Sequence, residues 1–372
     1  MCGIVGYIGK NEAVPVLIDG LKRLEYRGYD SAGVAIYEKG KLNTRKMAGR
    51  LVKVEEALKA VPISGSLGIG HTRWATHGRP SDRNAHPHQD CSKKFSVVHN
   101  GIIENYMSIK EGLQEKGHSF NSETDTEVLP HLIEELYQGD MVAAVRQTLT
   151  KIEGAYAIVV VCEDFPDRLL VARKSSPLII GLGAGENYVA SDIPAILPYT
   201  REIYILEDGE MAMVTADQVE VTTFTGQSVA KKPYHFQWDI GAAEKNGYED
   251  FMLKEIHEQP RAVRDTLAGK IGRETKTVTL PEVYLTPDFI KGLKKVHVVA
   301  CGTAYHAGLV GKYLIEKLVR IPVEVDLASE FRYRGPLVEK DSLTIIISQS
   351  GETADTLAGL REAKRLGSRI LK

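Results

Sequence analysis

Residues 1–9 read MCGIVGYIG, a stretch that places a cysteine directly after the initiator methionine and ahead of an apolar, glycine-containing run typical of a buried strand. Cysteine is small enough for Met1 to be removed, which would leave Cys2 with a thiol and a free α-amine on adjacent carbons. That pair is a candidate catalytic device. From this stretch alone two other interpretations stay open. Cys2 is either a small buried side chain or a lipidation site, although lipidation requires a charged, apolar leader.

The composition predicts an ordinary globular protein of two or three domains. The 372 residues are 43% hydrophobic and 26% charged, and 47 basic residues nearly balance 49 acidic ones. This balance predicts small metabolites as partners, with neither nucleic acid nor a membrane surface among them. The sequence contains no run of 18 apolar residues, so it predicts no membrane span. The four cysteines show neither a CxxC pair nor a metal-ligand spacing, which favours a reducing cytoplasm; they are Cys2, Cys91, Cys162 and Cys301.

The chain changes character along its length. Up to about residue 230 it reads as short strands, including one over 202–215, with helical patterns at 12–28 and, as one long helix, at 126–152. Strands with helices inserted in blocks favour packed sheets covered by helices, an α+β arrangement. Residues 294–318 and 341–367 instead repeat a pattern of apolar strand, polar loop and helix, which predicts a parallel α/β sheet of about three strands.

Three polar stretches in the first part are candidates for chemistry. In HTRWATHGRPSDRNAHPH (71–88), Arg73 is suited to a substrate carboxylate, whereas the histidines match no familiar zinc spacing. At Asn100 and Gly101, an amide beside a glycine N–H can form an oxyanion hole, although Asn-Gly is more often a simple turn. Asp125 either caps the helix that follows or holds a substrate ammonium.

Five motifs occurring together and in order resemble the class II glutamine amidotransferase family over residues 2–238: Cys2–Gly6, Arg27–Gly33, His71–Gly78, His99–Gly101 and Glu123–Glu127. The resemblance implies the Ntn-hydrolase fold, in which two packed sheets lie between helix layers as αββα. It implies Cys2 as the nucleophile, with Asn100 and Gly101 as the oxyanion hole. It also implies that Arg73 binds the carboxylate of glutamine and that Asp125 binds its ammonium. Thr76 and His77, in the same loop as Arg73, would shape the glutamine site, and Trp74 would gate an ammonia passage.

Two loops of the second part join a strand to a helix start, where hydroxyl groups, backbone N–H groups and the helix dipole favour a phosphate, although helix capping explains the same residues. These two loops and residues 330–334 together resemble the sugar isomerase (SIS) family. The resemblance implies a first SIS domain at 285–372, incomplete in this chain, after a connector with a helix at 239–284. It implies sugar-phosphate binding by Cys301, Gly302, Thr303, Ser348, Gln349, Ser350 and Thr353.

Together the two resemblances imply a glutamine-dependent aminotransferase of hexosamine biosynthesis. Ammonia from glutamine would convert fructose 6-phosphate to glucosamine 6-phosphate, without a metal or redox cofactor, in a cytoplasmic enzyme that is a homodimer at full length. Because a second SIS domain and a C-terminal tail have no counterpart before Lys372, the chain itself is expected to hydrolyse glutamine but form no aminosugar. Two alternatives remain, an amidotransferase for another phosphorylated sugar and a non-catalytic sugar-phosphate sensor.

Overall fold

The computed structural model describes residues 2–236, 248, 250–272, 277–278, 280, 283, 285–349, 351 and 353–372. The chain forms two compact units, Met1–Lys254 and Glu255–Lys372. Residues 238, 239 and 284, where the sequence predicts domain boundaries, lie outside the described residues.

The first unit is built from short strands and helices whose bounds follow in chain order. The strands are β1 (Gly3–Gly9), β2 (Ser31–Glu38), β3 (Lys41–Ala48), β4 (Leu67–Arg73), β5 (His88–Gln89), β6 (Phe95–Ile103), β7 (Gly154–Cys162), β8 (Phe165–Lys174), β9 (Ile179–Leu182), β10 (Glu186–Ala190), β11 (Glu202–Ile205), β12 (Glu210–Val214), β13 (Val219–Thr223) and β14 (Tyr234–His235). The helices are α1 (Ala13–Arg23), α2 (Val52–Ala60), α3 (Tyr106–Glu115), α4 (Val128–Leu136) and α5 (Met141–Lys151).

These strands form two antiparallel sheets, in the orders β14-β11-β9-β10-β1-β4-β2-β3 and β13-β12-β8-β7-β6-β5. The two sheets face each other across a core that includes Ile4 of β1 and Val98 of β6. On β1 the next residue, Val5, points the other way and packs with Leu17 of α1, because successive strand residues face opposite sides.

Helices α4 and α5 cover the outer face of the second sheet in the same manner, for example through Leu129 and Val145. The resulting order of helix, sheet, sheet and helix confirms the predicted αββα fold.

Several local predictions for this unit are wrong. The single helix expected over 126–152 is two helices, because Gly139 takes a positive φ of 91° and Asp140 then caps α5 by accepting the Ala143 N–H at 3.1 Å. The strand expected over 202–215 turns at Gly209, so β11 and β12 lie in different sheets. Helices α2 and α3 were not expected, since their apolar faces are short.

The second unit contains a parallel α/β sheet. Its elements, with the helix that crosses the boundary between the units, are α6 (Phe251–Leu267), β15 (Ile271–Gly272), β16 (Thr277–Val278), α7 (Pro287–Gly292), β17 (Lys295–Ala300), α8 (Gly302–Leu318), β18 (Val323–Leu327), α9 (Ala328–Tyr333), β19 (Ser342–Ile347), α10 (Ala354–Arg365) and β20 (Arg369–Leu371).

The order of the parallel sheet is β18-β17-β19-β20. The parallel sheet is as predicted, but it has four strands where about three were expected, because β20 pairs with β19. Among the described residues no helix combines the length and apolar character needed to cross a bilayer.

Candidate active site

Cys2 lies at the head of β1, and the pairing of β1 with β4 places it beside Trp74. Gly3 is opposite Thr72 in this pairing, and a Cβ on Gly3 would come 2.6 Å from the Thr72 hydroxyl oxygen, so the close approach of the strands depends on glycine. The backbone N–H of Trp74 donates to Cys2 Sγ at 3.1 Å, and the thiol lies 3.5 Å from the Trp74 carbonyl oxygen. The sulfur is thus held at the end of β4.

Burial raises the pKa of the Cys2 thiol, and the hydrogen bond from the Trp74 N–H opposes that shift without cancelling it. At neutral pH the sulfur is therefore mainly protonated. A protonated thiol is a poor nucleophile, so a reaction at Cys2 requires a base.

Asn100 and Gly101 come from β6, in the opposite sheet. The side-chain amide of Asn100 donates to the Cys2 carbonyl oxygen at 2.9 Å, which brings the amide next to the cysteine. Gly101 has a φ of 124°, and a Cβ there would overlap the carbonyl oxygen of Ala155 on the neighbouring strand. The backbone therefore requires glycine at this position. The candidate nucleophile and the candidate oxyanion donors belong to different sheets.

His71 fixes the orientation of the Asn100 amide. Its Nε2 lies 3.0 Å from Asn100 Oδ1 and 3.0 Å from the His99 carbonyl oxygen. Both neighbours are acceptors, so Nε2 carries the proton and donates to them. Burial lowers the pKa of His71 to about 3, which keeps the ring neutral. His71 thereby holds Oδ1 away from Cys2 and turns the amide NH₂ toward it.

Arg73 is 3% exposed and organises the loop that follows β4. Its Nη2 donates to the carbonyl oxygens of His77 and, at 3.2 Å, of Gly78. Its Nη1 is buried and finds no hydrogen-bond partner among the described residues. The guanidinium thus holds the loop through Nη2, while the N–H groups of Nη1 stay available to a ligand.

Asp30 braces the same loop from the β2 side. Its carboxylate accepts from the backbone N–H of Ala75, and its own N–H donates to the Arg73 carbonyl oxygen at 3.1 Å. Gly28 lies against this backbone, since a Cβ there would come 2.7 Å from the Arg73 carbonyl carbon. The loop is therefore fixed on both sides.

Thr76, His77 and Asp125 form a second group at the far end of the loop. His77 Nδ1 lies 3.3 Å from Thr76 Oγ1 and 3.8 Å from Asp125 Oδ1. Asp125 is 3% exposed, and its other oxygen accepts the Ile103 N–H at 2.8 Å. A buried carboxylate held this way beside the His77 ring is suited to a cation.

The Trp74 side chain points into solvent and is 49% exposed. Its indole meets the ring of Tyr29 edge-on, with 5.2 Å between the ring centroids. The backbone of Trp74 contacts the sulfur while its ring is available to a neighbouring surface.

Behind the site lies a set of buried histidines. The His86 ring stacks on His71 at 4.2 Å and meets His88 edge-on at 4.9 Å. Burial lowers the pKa of His86, His88 and His99. His77 points to Asp125 instead of joining them, so the four histidines of residues 71–88 do not converge.

In the second unit, the two candidate phosphate loops follow neighbouring parallel strands, so both lie at the carboxyl edge of the sheet. Cys301 precedes α8, and Gly302 has a φ of 58°. The Thr356 hydroxyl of α10 lies 3.6 Å from Cys301 Sγ, so the first loop contacts the helix that follows the second. Ser348 Oγ accepts the Gly351 N–H at 3.0 Å.

The remaining candidates of these loops differ in exposure. Thr303 and Gln349 are exposed, and Thr353 precedes α10 without a side-chain cap. Ser350 lies outside the described residues.

Gly28, Asp30 and His71 lie within the recognised motifs, but the sequence predicts no role for them. Their function in the fold is to position others, through contacts with residues more than 25 positions away. The signal available was the presence of polar and glycine residues at a strand edge, which does not reveal the partner.

Two family models match the chain, a glutamine amidotransferase domain over residues 71–198 and a SIS domain over residues 290–371. The glutamine–fructose-6-phosphate aminotransferases (isomerizing) of Clostridium tetani and Aquifex aeolicus are 57% and 51% identical over 371 and 368 residues. These matches cover 100% and 99% of this chain. In both cases the chain spans 61% of the relative's length.

Among solved structures, the glutamine phosphoribosylpyrophosphate amidotransferase from B. subtilis matches with a TM-score of 0.53 at 20% identity. The match covers 92% of this chain and 75% of that chain. A structure described as the allosteric regulatory enzyme of purine biosynthesis matches with a TM-score of 0.54 at 21% identity, covering 99% and 80%. At these identities the likeness concerns the fold.

Proposed function

Because this chain is homologous over its whole length to the glutamine–fructose-6-phosphate aminotransferases, and carries their glutamine amidotransferase and SIS domains, we propose a two-part function. The first domain, residues 2–238, hydrolyses glutamine to glutamate and ammonia. In the complete protein the ammonia converts fructose 6-phosphate to glucosamine 6-phosphate.

One observation carries this proposal. The Trp74 N–H donates to the Cys2 sulfur at 3.1 Å, and the Asn100 amide donates to the carbonyl oxygen of the same cysteine at 2.9 Å. A nucleophile next to an oriented amide donor is the arrangement that acyl transfer requires.

The reaction begins with the Cys2 sulfur attacking the side-chain amide carbon of glutamine. The carbonyl oxygen becomes an oxyanion, which the Asn100 amide and the Gly101 N–H stabilise. Collapse of this intermediate breaks the C–N bond and releases ammonia, leaving a thioester on Cys2. Water then attacks the thioester carbon, and glutamate leaves as the thiol reforms.

The base for this sequence is the α-amine of Cys2, freed by removal of Met1. An α-amine has a pKa of about 7.7–8.0, so a substantial fraction is unprotonated near neutral pH. A bridging water carries the thiol proton to the amine, since the amine cannot reach its own sulfur in a favourable geometry. The amine then returns the proton to the departing ammonia.

Glutamine is oriented by its two charged ends. Its α-carboxylate pairs with the unused Nη1 of Arg73, and its ammonium pairs with Asp125. Thr76 and His77 line the interval between them. Trp74 gates the exit of ammonia.

The first SIS domain, residues 285–372, binds the phosphate of the sugar. Backbone N–H groups at the start of α8 and α10 and nearby hydroxyl groups supply the donors, as expected where strands end and helices begin. The ligands are Cys301, Gly302, Thr303, Ser348, Gln349, Ser350 and Thr353. Residues 239–284 connect the two domains.

For the complete protein we also propose a cytoplasmic homodimer, on the resemblance of its motifs to amidotransferases with SIS domains. Sedimentation of the full-length protein tests this proposal. A monomer at micromolar concentration would contradict it.

One incubation tests the glutaminase proposal. The chain is mixed with glutamine and fructose 6-phosphate, and glutamate and glucosamine 6-phosphate are measured separately. We expect glutamate from the chain and none from Cys2→Ala, while the matched Cys162→Ala variant, which removes a thiol elsewhere, keeps turnover. Glutamate formation by Cys2→Ala would contradict the role of Cys2.

The sugar step is tested with the full-length protein and a panel of phosphorylated ketoses. Aminosugar formed from another ketose phosphate alone would redirect the acceptor assignment. Sugar-phosphate binding without glutamine turnover would identify a sensor.

A further inference from the structure

Four side chains with metal-binding atoms converge in the first unit, outside the candidate active site. Cys91 lies in the turn between β5 and β6, His118 follows α3, and His131 and Glu134 lie one turn apart on α4. One donor atom from each of the four lies within 4.8 Å of the others. Members of the cluster that belong to different segments of the chain are 13 to 43 residues apart in sequence, so only the fold brings them together.

The distances within this cluster are those between the ligands of one tetrahedral metal ion. Zinc bonds of about 2.3 Å to sulfur and about 2.0–2.1 Å to nitrogen and oxygen place two nitrogens about 3.3 Å apart and a sulfur and a nitrogen about 3.6 Å apart. The two histidine Nδ1 atoms are 3.3 Å apart, and Cys91 Sγ lies 3.5 Å from His131 Nδ1 and 3.8 Å from His118 Nδ1.

Glu134 completes the same geometry. Its Oε2 lies 3.3 Å from His118 Nδ1 and 3.8 Å from His131 Nδ1. The backbone N–H groups of Cys91 and Ser92 donate to the two carboxylate oxygens at 3.1 Å each, which fixes the carboxylate in place.

The outer nitrogens of both histidines face carboxylates. His118 Nε2 lies 3.3 Å from Glu135 Oε2, and His131 Nε2 lies 3.9 Å from Glu127 Oε1. Metal-bound histidines are commonly oriented by a carboxylate on the nitrogen that does not bind the metal. The Ser119 N–H also points at Cys91 Sγ, at 3.4 Å, as a donor to a thiolate would.

We propose that Cys91, His118, His131 and Glu134 bind one zinc ion. A sulfur, two imidazole nitrogens and one carboxylate oxygen form a donor set that favours zinc over magnesium or calcium. The histidine side chains are 9% and 1% exposed while Cys91 is exposed, so the ion enters from solvent past the thiol.

The role of this ion is structural. Four protein ligands leave no position for a substrate. The ion ties α4 to the β5–β6 turn, and α4 begins three residues after Asp125. It thus stabilises the segment that carries the proposed ammonium ligand.

The test uses the whole chain, stripped with a chelator and titrated with zinc or with cobalt as a spectroscopic substitute. We expect one zinc per chain, no competition from excess magnesium, and a cobalt spectrum with tetrahedral bands and a thiolate charge-transfer band. Cys91→Ser should remove the charge-transfer band and weaken zinc binding at least tenfold. Glu135→Gln should weaken it by about 10- to 100-fold, the usual effect of losing an orienting carboxylate.

The matched controls are Cys2→Ala and Cys162→Ala, which remove thiols elsewhere and should keep the band. Zinc should raise the melting temperature of the wild type and leave that of His118→Ala unchanged, with circular dichroism showing that each variant is folded. Absence of stoichiometric zinc at micromolar concentration would overturn the proposal. So would a charge-transfer band that persists in Cys91→Ser.

Discussion

Replacement of His71 tests whether this buried ring acts on catalysis through Asn100. His71→Leu keeps a similar volume but removes the N–H that holds Asn100 Oδ1 and the His99 carbonyl oxygen, both 3.0 Å away. Loss of one oxyanion donor costs about 10²- to 10³-fold in turnover. Because the Asn100 amide remains present but free to rotate, we expect a smaller loss of about 10- to 100-fold, or about 1.4–2.7 kcal/mol.

The double variant distinguishes a positioning role of His71 from an independent one. If His71 acts only by orienting the amide, adding His71→Leu to Asn100→Ala should cause no further loss of turnover, whereas independent roles would multiply. His71→Gln, which can return an N–H donor, should restore part of the activity. Turnover by folded protein is followed as glutamate release above pH 7, where the His71 ring is neutral because burial holds its pKa near 3.

The matched control is His86→Leu. His86 stacks on His71 at 4.2 Å and is also buried, so this variant should disturb the same region and lower stability without changing turnover per folded molecule. Equal losses of turnover from the two leucine variants would refute the positioning role. Multiplicative losses in the double variant would do the same.

Three further predictions concern the amine, the backbone and acid stability. Active protein should lack Met1 in its intact mass, since the mechanism needs the free α-amine of Cys2, and a fully active preparation that retains Met1 would exclude that base. Gly101→Ala should abolish turnover and lower the unfolding midpoint, because a φ of 124° costs a non-glycine residue about 1–3 kcal/mol and the new Cβ would overlap Ala155. The control Gly112→Ala on α3, where a Cβ meets nothing within 4 Å, should be neutral or stabilise the fold by up to about 1 kcal/mol. Equal unfolding midpoints for the two variants would contradict this prediction. Burial lowers the pKa values of four histidines, His71, His86, His88 and His99, so below about pH 6.5 the unfolded chain binds protons that the folded chain does not. The stability of the fold is therefore full above that pH and is lost as the pH falls toward the folded pKa values. The loss is up to about 1.4 kcal/mol per pH unit for each histidine. Urea midpoints at pH 7.5, 6.5 and 5.5 should fall in that order, less steeply in His86→Leu, and equal midpoints would contradict the reasoning.

The fold was predictable where sequence patterns repeat over many residues. Short apolar strands up to residue 230 and the strand–loop–helix repeats after 294 predict two packed sheets and a parallel sheet, as found. Local boundaries were harder, because the break between α4 and α5 depends on the left-handed backbone of Gly139 and on the cap at Asp140.

At the candidate site, the sequence predicted residues for chemistry but not the contacts that hold them in place. Cys2 contacts both Asn100 and Trp74, which the motifs alone predict only as separate candidates. The link from His71 to Asn100 depends on the pairing of strands from different parts of the chain, which a motif does not encode. The cluster around Cys91 shows the same limit, since its spacing matches no familiar ligand pattern.

Cys2 and Asn100 belong to opposite sheets, so the candidate active site lies between two sheets that are each held together by their own ladder of hydrogen bonds. Each sheet is stiff along its own ladder, whereas the alignment of one sheet on the other depends on apolar side chains such as Ile4 and Val98 and on a few hydrogen bonds, such as that from the Asn100 amide to the Cys2 carbonyl oxygen. A shift of a fraction of an ångström between the sheets would lengthen the hydrogen bond from the Asn100 amide to the Cys2 carbonyl oxygen while leaving every strand intact. Enlarging or emptying space in that layer should therefore abolish the proposed glutamine hydrolysis at temperatures where the chain is still fully folded, so that heat inactivation precedes melting.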